Sequence, residues 1–206
     1  MKMKLTKILI LLGCFLGVFT ANAQTSSQVL DKAIANLSKA TSINCTFKIT
    51  GDNGNFNGTF KSSGKKFKLE TPYGTTWFDG SNMWTSNPRS KQITLVNPST
   101  AEVNEVNPFS YMNSYKSQYT TGYSKYTDND VYRVVLNPKS SKSEVKAVEI
   151  AINKKTYLPQ RFIIRDKNDK RTYIYINSLS TTSNNPGSTF VCPTNSMKDY
   201  ELVDLR

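Results

Sequence analysis

From residue 43 to residue 180 the chain alternates apolar and polar side chains with a period of two, broken only by turns and by one irregular insert. That period belongs to half-buried β-strands and leaves no room for a helical bundle. Ile43, Cys45, Phe47 and Ile49 face one way, and Asn44, Thr46, Lys48 and Thr50 the other. The Gly51-Asp52-Asn53-Gly54 cluster is a turn, and Phe56 to Lys61 returns as a strand. Lys65 to Glu70 alternates without error, Thr75 to Phe78 follows Pro72, and Asp79-Gly80 and Asn87-Pro88 turn the chain into Asn82 to Ser86 and Lys91 to Val96. Strands resume at about 119–126, 131–137, 144–153, 158–166 and 171–180, with short ones expected at 189–192 and 200–205. The gaps are short and rich in Asn, Asp, Lys and Gly, as antiparallel hairpins require.

Two segments escape the pattern. Val29, Leu30, Ala33, Ile34 and Leu37 fall on one stripe at helical spacing, so 27–39 is an amphipathic helix, with Ser26 or Ser27 expected as its N-cap. Residues 97–117 hold Asn-Pro steps with Phe109, Tyr111, Met112 and Tyr115, which predicts a loop with a short helix at 108–116. The expected fold is mainly β: a single curled antiparallel sheet of about eleven strands. It forms an open half barrel covered by the N-terminal helix and a short helical lid. Such thin cover tends to enclose a cavity. The aromatic content of 11% supplies side chains to line it, although an aromatic on such a strand more often packs a core.

The N-terminus addresses the compartment. Lys2, Lys4 and Lys7 precede an apolar run from Ile8 to Phe19, and Ala21-Asn22-Ala23 matches a signal-peptidase site. Residues 1–23 are therefore expected to be a cleaved signal peptide, leaving 24–206 as one exported, periplasmic domain. An alternative places a lipid on Cys14 through Leu11-Leu12-Gly13-Cys14, but the apolar run before that cysteine is only about five residues. Cys45 and Cys192 then remain, read either as a disulfide between the first and last strands or as two buried thiols.

The 206 residues contain no histidine, which removes Ser-His-Asp and Cys-His nucleophiles and His-liganded zinc. No Gly-x-Ser-x-Gly, P-loop or Cys-x-x-Cys is present. The acids sit mostly at turns (Asp52, Asp79, Asp128, Asp130, Asp166, Asp169), where Asp bonds its own backbone. No enzyme, cofactor or metal is expected. The net charge of +12 is spread over polar strand faces, so nucleic acid is not expected as a partner.

One phrase is more specific. Asp79-Gly80-Ser81-Asn82-Met83-Trp84-Thr85-Ser86-Asn87-Pro88, followed by Gln92-Ile93, resembles the signature of the LolA family of periplasmic carriers of outer-membrane lipoproteins. The leading helix, a Gly-x-Phe strand at Gly58 to Phe60, Asn107-Pro108-Phe109 and Phe190-Val191-Cys192-Pro193 are similar in order. The resemblance implies an open barrel with an apolar cavity for acyl chains, cargo received from an inner-membrane ABC-type release complex, delivery to an outer-membrane acceptor, and a monomer. By motif alignment it places Phe67 and Leu69 on the cavity wall. Strand parity and the insert add Phe47, Phe60, Trp77, Trp84, Phe109 and Met112. Where the family carries an Arg-Pro pair that holds the lid, this chain has Gly64-Lys65, and a lysine lacks the planar fork of arginine. The same resemblance admits a binder of another lipid or apolar ligand, or a lipid-anchored acceptor or sensor module.

Overall fold

The computed structural model describes residues 24–206 except 53, 182 and 183; the expected signal peptide and Cys14 lie outside the described residues. Helix α1 (Ser26–Ser38) starts one residue earlier than its serines suggest, with Thr25 as N-cap. Thr25 keeps extended geometry, its hydroxyl accepts from Gln28 N at 3.3 Å, and Gln28 Oε1 accepts from Thr25 N at 2.9 Å. Ser26 is already helical and donates its hydroxyl to Thr121 instead. Val29, Leu30, Ala33 and Leu37 are buried, as the stripe requires.

Strands β1 (Ile43–Gly51), β2 (Phe56–Ser63), β3 (Lys66–Thr71), β4 (Gly74–Phe78), β5 (Met83–Asn87) and β6 (Gln92–Val96) form one antiparallel meander. The family phrase builds its turns. Asp79 Oδ1 accepts from Ser81 N and Asn82 N at 2.8 and 2.7 Å, and Asn87 Oδ1 accepts from Arg89 N at 3.0 Å. A second meander comprises β7 (Tyr119–Tyr123), β8 (Val131–Pro138), β9 (Val145–Asn153), β10 (Pro159–Asp166) and β11 (Arg171–Ser180). The two join where β1 pairs antiparallel with β11, with a bulge that leaves Asn177 extra between the Thr46–Ser178 and Phe47–Ile176 pairs.

The sheet has twelve strands in the order β12-β6-β5-β4-β3-β2-β1-β11-β10-β9-β8-β7 and does not close. Three expectations need correction. The strand foreseen at 189–192 is a 3₁₀ turn over Gly187–Phe190, followed by another over Thr194–Ser196, with Pro193 lacking the N–H a ladder would use. The last strand, β12 (Glu201–Asp204), lies parallel to β6, so the sheet is not wholly antiparallel. The insert holds two helices, α2 (Thr100–Val106) and α3 (Ser110–Gln118). Ser99 and Glu102 form a capping box that starts α2, and Asn107-Pro108 ends it.

Alternation splits the sheet into two faces. The inner face packs against α1, α2 and α3 and holds the main core; a smaller cluster of Trp77, Ile93 and Cys192 lies on the outer face, under the C-terminal segment. Among the described residues no helix is long and apolar enough to cross a membrane.

Candidate functional site

The inner face does not fill completely. A cavity of about 360 Å³ remains at the junction of the two meanders. Its walls are Cys45, Phe47 and Ile49 of β1, Phe60 of β2, Leu69 of β3, Phe162 and Ile164 of β10, and Thr172, Ile174 and Ile176 of β11. Its roof is Val106, Pro108, Phe109 and Tyr111 from the insert. The register explains the grouping, because Phe47 pairs with Ile176 and Ile49 with Ile174 across the junction. Among the described lining residues, only Thr172 and Tyr111 bring a side-chain oxygen, and none is charged. Burial pushes the Cys45 thiol up to about 12, so it stays protonated and is no nucleophile at neutral pH. The arrangement can shelter an apolar ligand. Among the described residues no group of three or more Cys, Asp or Glu converges on a metal position.

A file of phenylalanines runs under the roof. Phe78 packs on Phe67 at 5.4 Å between ring centroids, Phe67 on Phe60 at 5.8 Å, Phe60 on Phe109 at 5.3 Å, and Phe109 on Phe162 at 5.7 Å. Phe109 thus bridges the two meanders from above.

The structure places Phe47, Phe60, Leu69 and Phe109 on the cavity boundary. Phe67 is wholly buried behind Phe60, and Met112 is wholly buried in the core; neither is on the wall. Trp77 and Trp84 are a correction. They pair with each other across β4 and β5, but Thr76 and Phe78 take the inward positions of β4, so both tryptophans point outward. There they pack with Ile93, Cys192, Met197 and Tyr200. The wall residues not foreseen are Cys45, Ile49, Phe162, Ile164, Thr172, Ile174 and Ile176; on β11 the signal was the alternation of Ile174 and Ile176 with Tyr173 and Tyr175, which separates an inner from an outer set. Cys45 and Cys192 are both free and buried. They belong to clusters on opposite faces, so the disulfide alternative is not formed.

Gly64 and Lys65 lie in the β2–β3 turn, Gly64 with φ of 58°. With Leu37, Ser42, Asn107, Phe109 and Asn113 they border a second cleft of about 270 Å³, between that turn and the roof. Among the described residues no hydrogen bond or ion pair is formed between Lys65 and the roof. The roof is tied elsewhere. Tyr115 of α3 donates its hydroxyl to Asp31 of α1 at 2.7 Å, and Lys116 Nζ lies 2.9 Å from the same oxygen. Lys116 and then Tyr115 hold the Asp31 carboxyl below its usual range. Burial, then the Asp31 bond, raises the Tyr115 phenol above its usual value.

The fold recurs in solved structures. An uncharacterized conserved protein from Thermus thermophilus matches with a TM-score of 0.58 at 15% identity, over 87% of this chain and 98% of that one. A DUF1329 family protein from Desulfovibrio piger matches with a TM-score of 0.50 at 13% identity, over 84% and 99%. A LolA superfamily protein from Nitrosomonas europaea matches with a TM-score of 0.44 at 12% identity, over 84% and 100%. No curated protein matches the chain. At the level of sequence, the family described as outer membrane lipoprotein carrier protein LolA matches residues 16–168, most of the chain. The unclosed sheet, the roofed apolar cavity and that match lead to one conclusion: the chain belongs to the LolA family of outer membrane lipoprotein carrier proteins.

Proposed function

We propose that the chain carries lipoproteins across the periplasm, holding their acyl chains in the cavity between the two meanders. The observation that supports this reading is a cavity with no charged residue among its described lining, roofed by an insert separate from the sheet. Acyl chains cannot cross water unaided, since each methylene left exposed costs about 0.8 kcal/mol. A wall of Phe, Ile and Leu offsets that cost without a directional bond, which also allows the cargo to leave. Phe109, set between Phe60 and Phe162, occupies the centre of the roof. Entering chains displace it, and α3 then shifts against its tie to Asp31. In this reading residues 1–23 are removed on export and 24–206 act as a monomeric shuttle. An inner-membrane ABC-type complex supplies the cargo and an outer-membrane acceptor takes it.

The test uses the chain from Gln24 onward, which contains every described element, incubated with proteoliposomes bearing a triacylated lipoprotein and the matching transporter. The expected result is lipoprotein in the soluble fraction as a one-to-one complex, lost in Leu69→Glu, which puts a charge on the wall. Absence of release by the folded wild-type protein overturns the carrier reading. Lipid that co-purifies without lipoprotein release keeps the cavity and replaces the cargo with another apolar ligand.

A further inference from the structure

The outer face of β8 to β11, opposite the cavity, concentrates positive charge. Its outward positions carry Arg133 on β8, Arg161 and Arg165 on β10, and Arg171 on β11; Arg133 and Arg161 flank Ala151 in the ladder, and Arg165 sits directly opposite Arg171. The segment after β7 folds over the edge of this face. The Tyr126 ring lies 5.3 Å from the Arg133 guanidinium and 5.2 Å from Lys125 Nζ. Lys125, Tyr126, Arg133, Arg165 and Arg171 border a groove of about 440 Å³ whose other lining residues include the small Gly122 and Ala147.

The acids present do not balance the patch. Glu149 accepts from Arg133 Nε at 2.8 Å and lies 3.8 Å from Arg161. Asp169 is engaged by Lys146 at 2.7 Å and by Arg165 at 3.4 Å. Lys125 and Arg171 form no ion pair among the described residues, and like charges placed opposite each other on neighbouring strands destabilise a sheet. An anion lying between Arg165 and Arg171 relieves that repulsion, and guanidinium forks match phosphate oxygens in pairs. The exposed rings decide what carries the phosphate. Tyr126 and Tyr175 are 58% and 37% exposed around the patch. Amphipathic rings bordering a spread of cations fit the headgroup level of a bilayer better than a pocket for one small ion.

We propose that this outer face is a docking surface for anionic phospholipid headgroups, with Arg165 and Arg171 at its centre. It uses no cavity residue and stands apart from the carrier reading. The test is flotation of the chain from Gln24 onward with phosphatidylcholine vesicles, with and without phosphatidylglycerol. The expected result is binding only to the phosphatidylglycerol vesicles, weakened by salt. One arginine near an anionic surface is worth about fivefold in partition, so Arg171→Gln loses about fivefold and Arg165→Ala with Arg171→Ala about 25-fold. Both positions lie on the solvent side of the sheet, and an unchanged melting curve establishes that each variant is folded. Equal binding to both vesicle types overturns the proposal. So does a folded double variant that floats like the wild type, or binding to glycerol 3-phosphate or to an acidic polypeptide without binding to vesicles.

Discussion

Gly58 of β2 sits beneath the ring of Phe47, a wall residue. A Cβ added at Gly58 would lie 2.4 Å from Phe47 Cζ and 2.7 Å from the Glu70 carbonyl oxygen, against an ordinary contact of 3.4–4 Å. The ring must therefore retreat by about 1 Å, and its free direction is into the cavity it borders. The carbonyl belongs to the neighbouring strand and cannot swing away. Overpacking of this kind costs about 1–3 kcal/mol, and for a domain of this size each kcal/mol lowers the melting temperature by roughly 2–4 °C. Gly122 of β7 is the control, because a Cβ there meets nothing within 4 Å. At such a site Gly→Ala is worth up to about 1 kcal/mol of added stability through the unfolded chain. The assay is thermal unfolding of Gly58→Ala and Gly122→Ala beside the wild type, with titration of the apolar fluorophore N-phenyl-1-naphthylamine. Gly58→Ala should melt lower and bind the probe more weakly, and Gly122→Ala should do neither. If Gly58→Ala melts and binds as the wild type does, the close fit of Phe47 over β2 is wrong.

Tyr115→Phe removes the bond from α3 to α1 and should cost about 0.5–1.5 kcal/mol in denaturant unfolding, towards the lower end because Asp31 is exposed to solvent screening. The bond favours ionised Asp31, whose carboxyl is held low. The difference from wild type is therefore present above the usual carboxylate range and narrows as the pH falls through the folded-state value; a gap independent of pH would contradict this. Burial pushes the Cys45 and Cys192 thiols up to about 12 and about 11. Both should resist iodoacetamide at pH 8 until the protein unfolds, and intact mass should not change by about two daltons on reduction. Because these values are raised, their contribution to stability is complete below the ordinary thiol value of 9.0 and is lost as the pH climbs through 11 to 12.

Period and turn chemistry made most of the sheet legible, since each hairpin in a meander is a local decision. The stripe of α1 followed from helical spacing and the walls from Phe47 and Phe60 from the alternation, whereas Leu69 was placed by the family resemblance. The failures fall where a neighbour far along the chain decides. β4 carries two adjacent large aromatics, Trp77 and Phe78, so its parity depends on Phe67, which pairs with Phe78 and turns it inward. Nothing local to 201–204 reveals that it lies parallel to β6. The capping box at Thr25 was readable, with Gln28 three residues on, but the two following serines competed for the part. The family phrase was informative about fold rather than ligand: Asp79 and Asn87 fold turns, and Trp84 packs the face away from the cavity.

The strand order also dictates when a cavity can exist. Each meander forms from contacts a few residues apart, but β1 meets β11 across more than a hundred residues, and such long-range pairing is slow. Cys45, Phe47 and Ile49 lie on one side of that seam, and Phe162, Ile164, Ile174 and Ile176 on the other. Until the second meander is complete, both half-walls are bare apolar strand faces with unpaired edges, the kind of surface that aggregates. The cavity is thus assembled last, and its two halves need protection from other chains until residues 171–180 are seated.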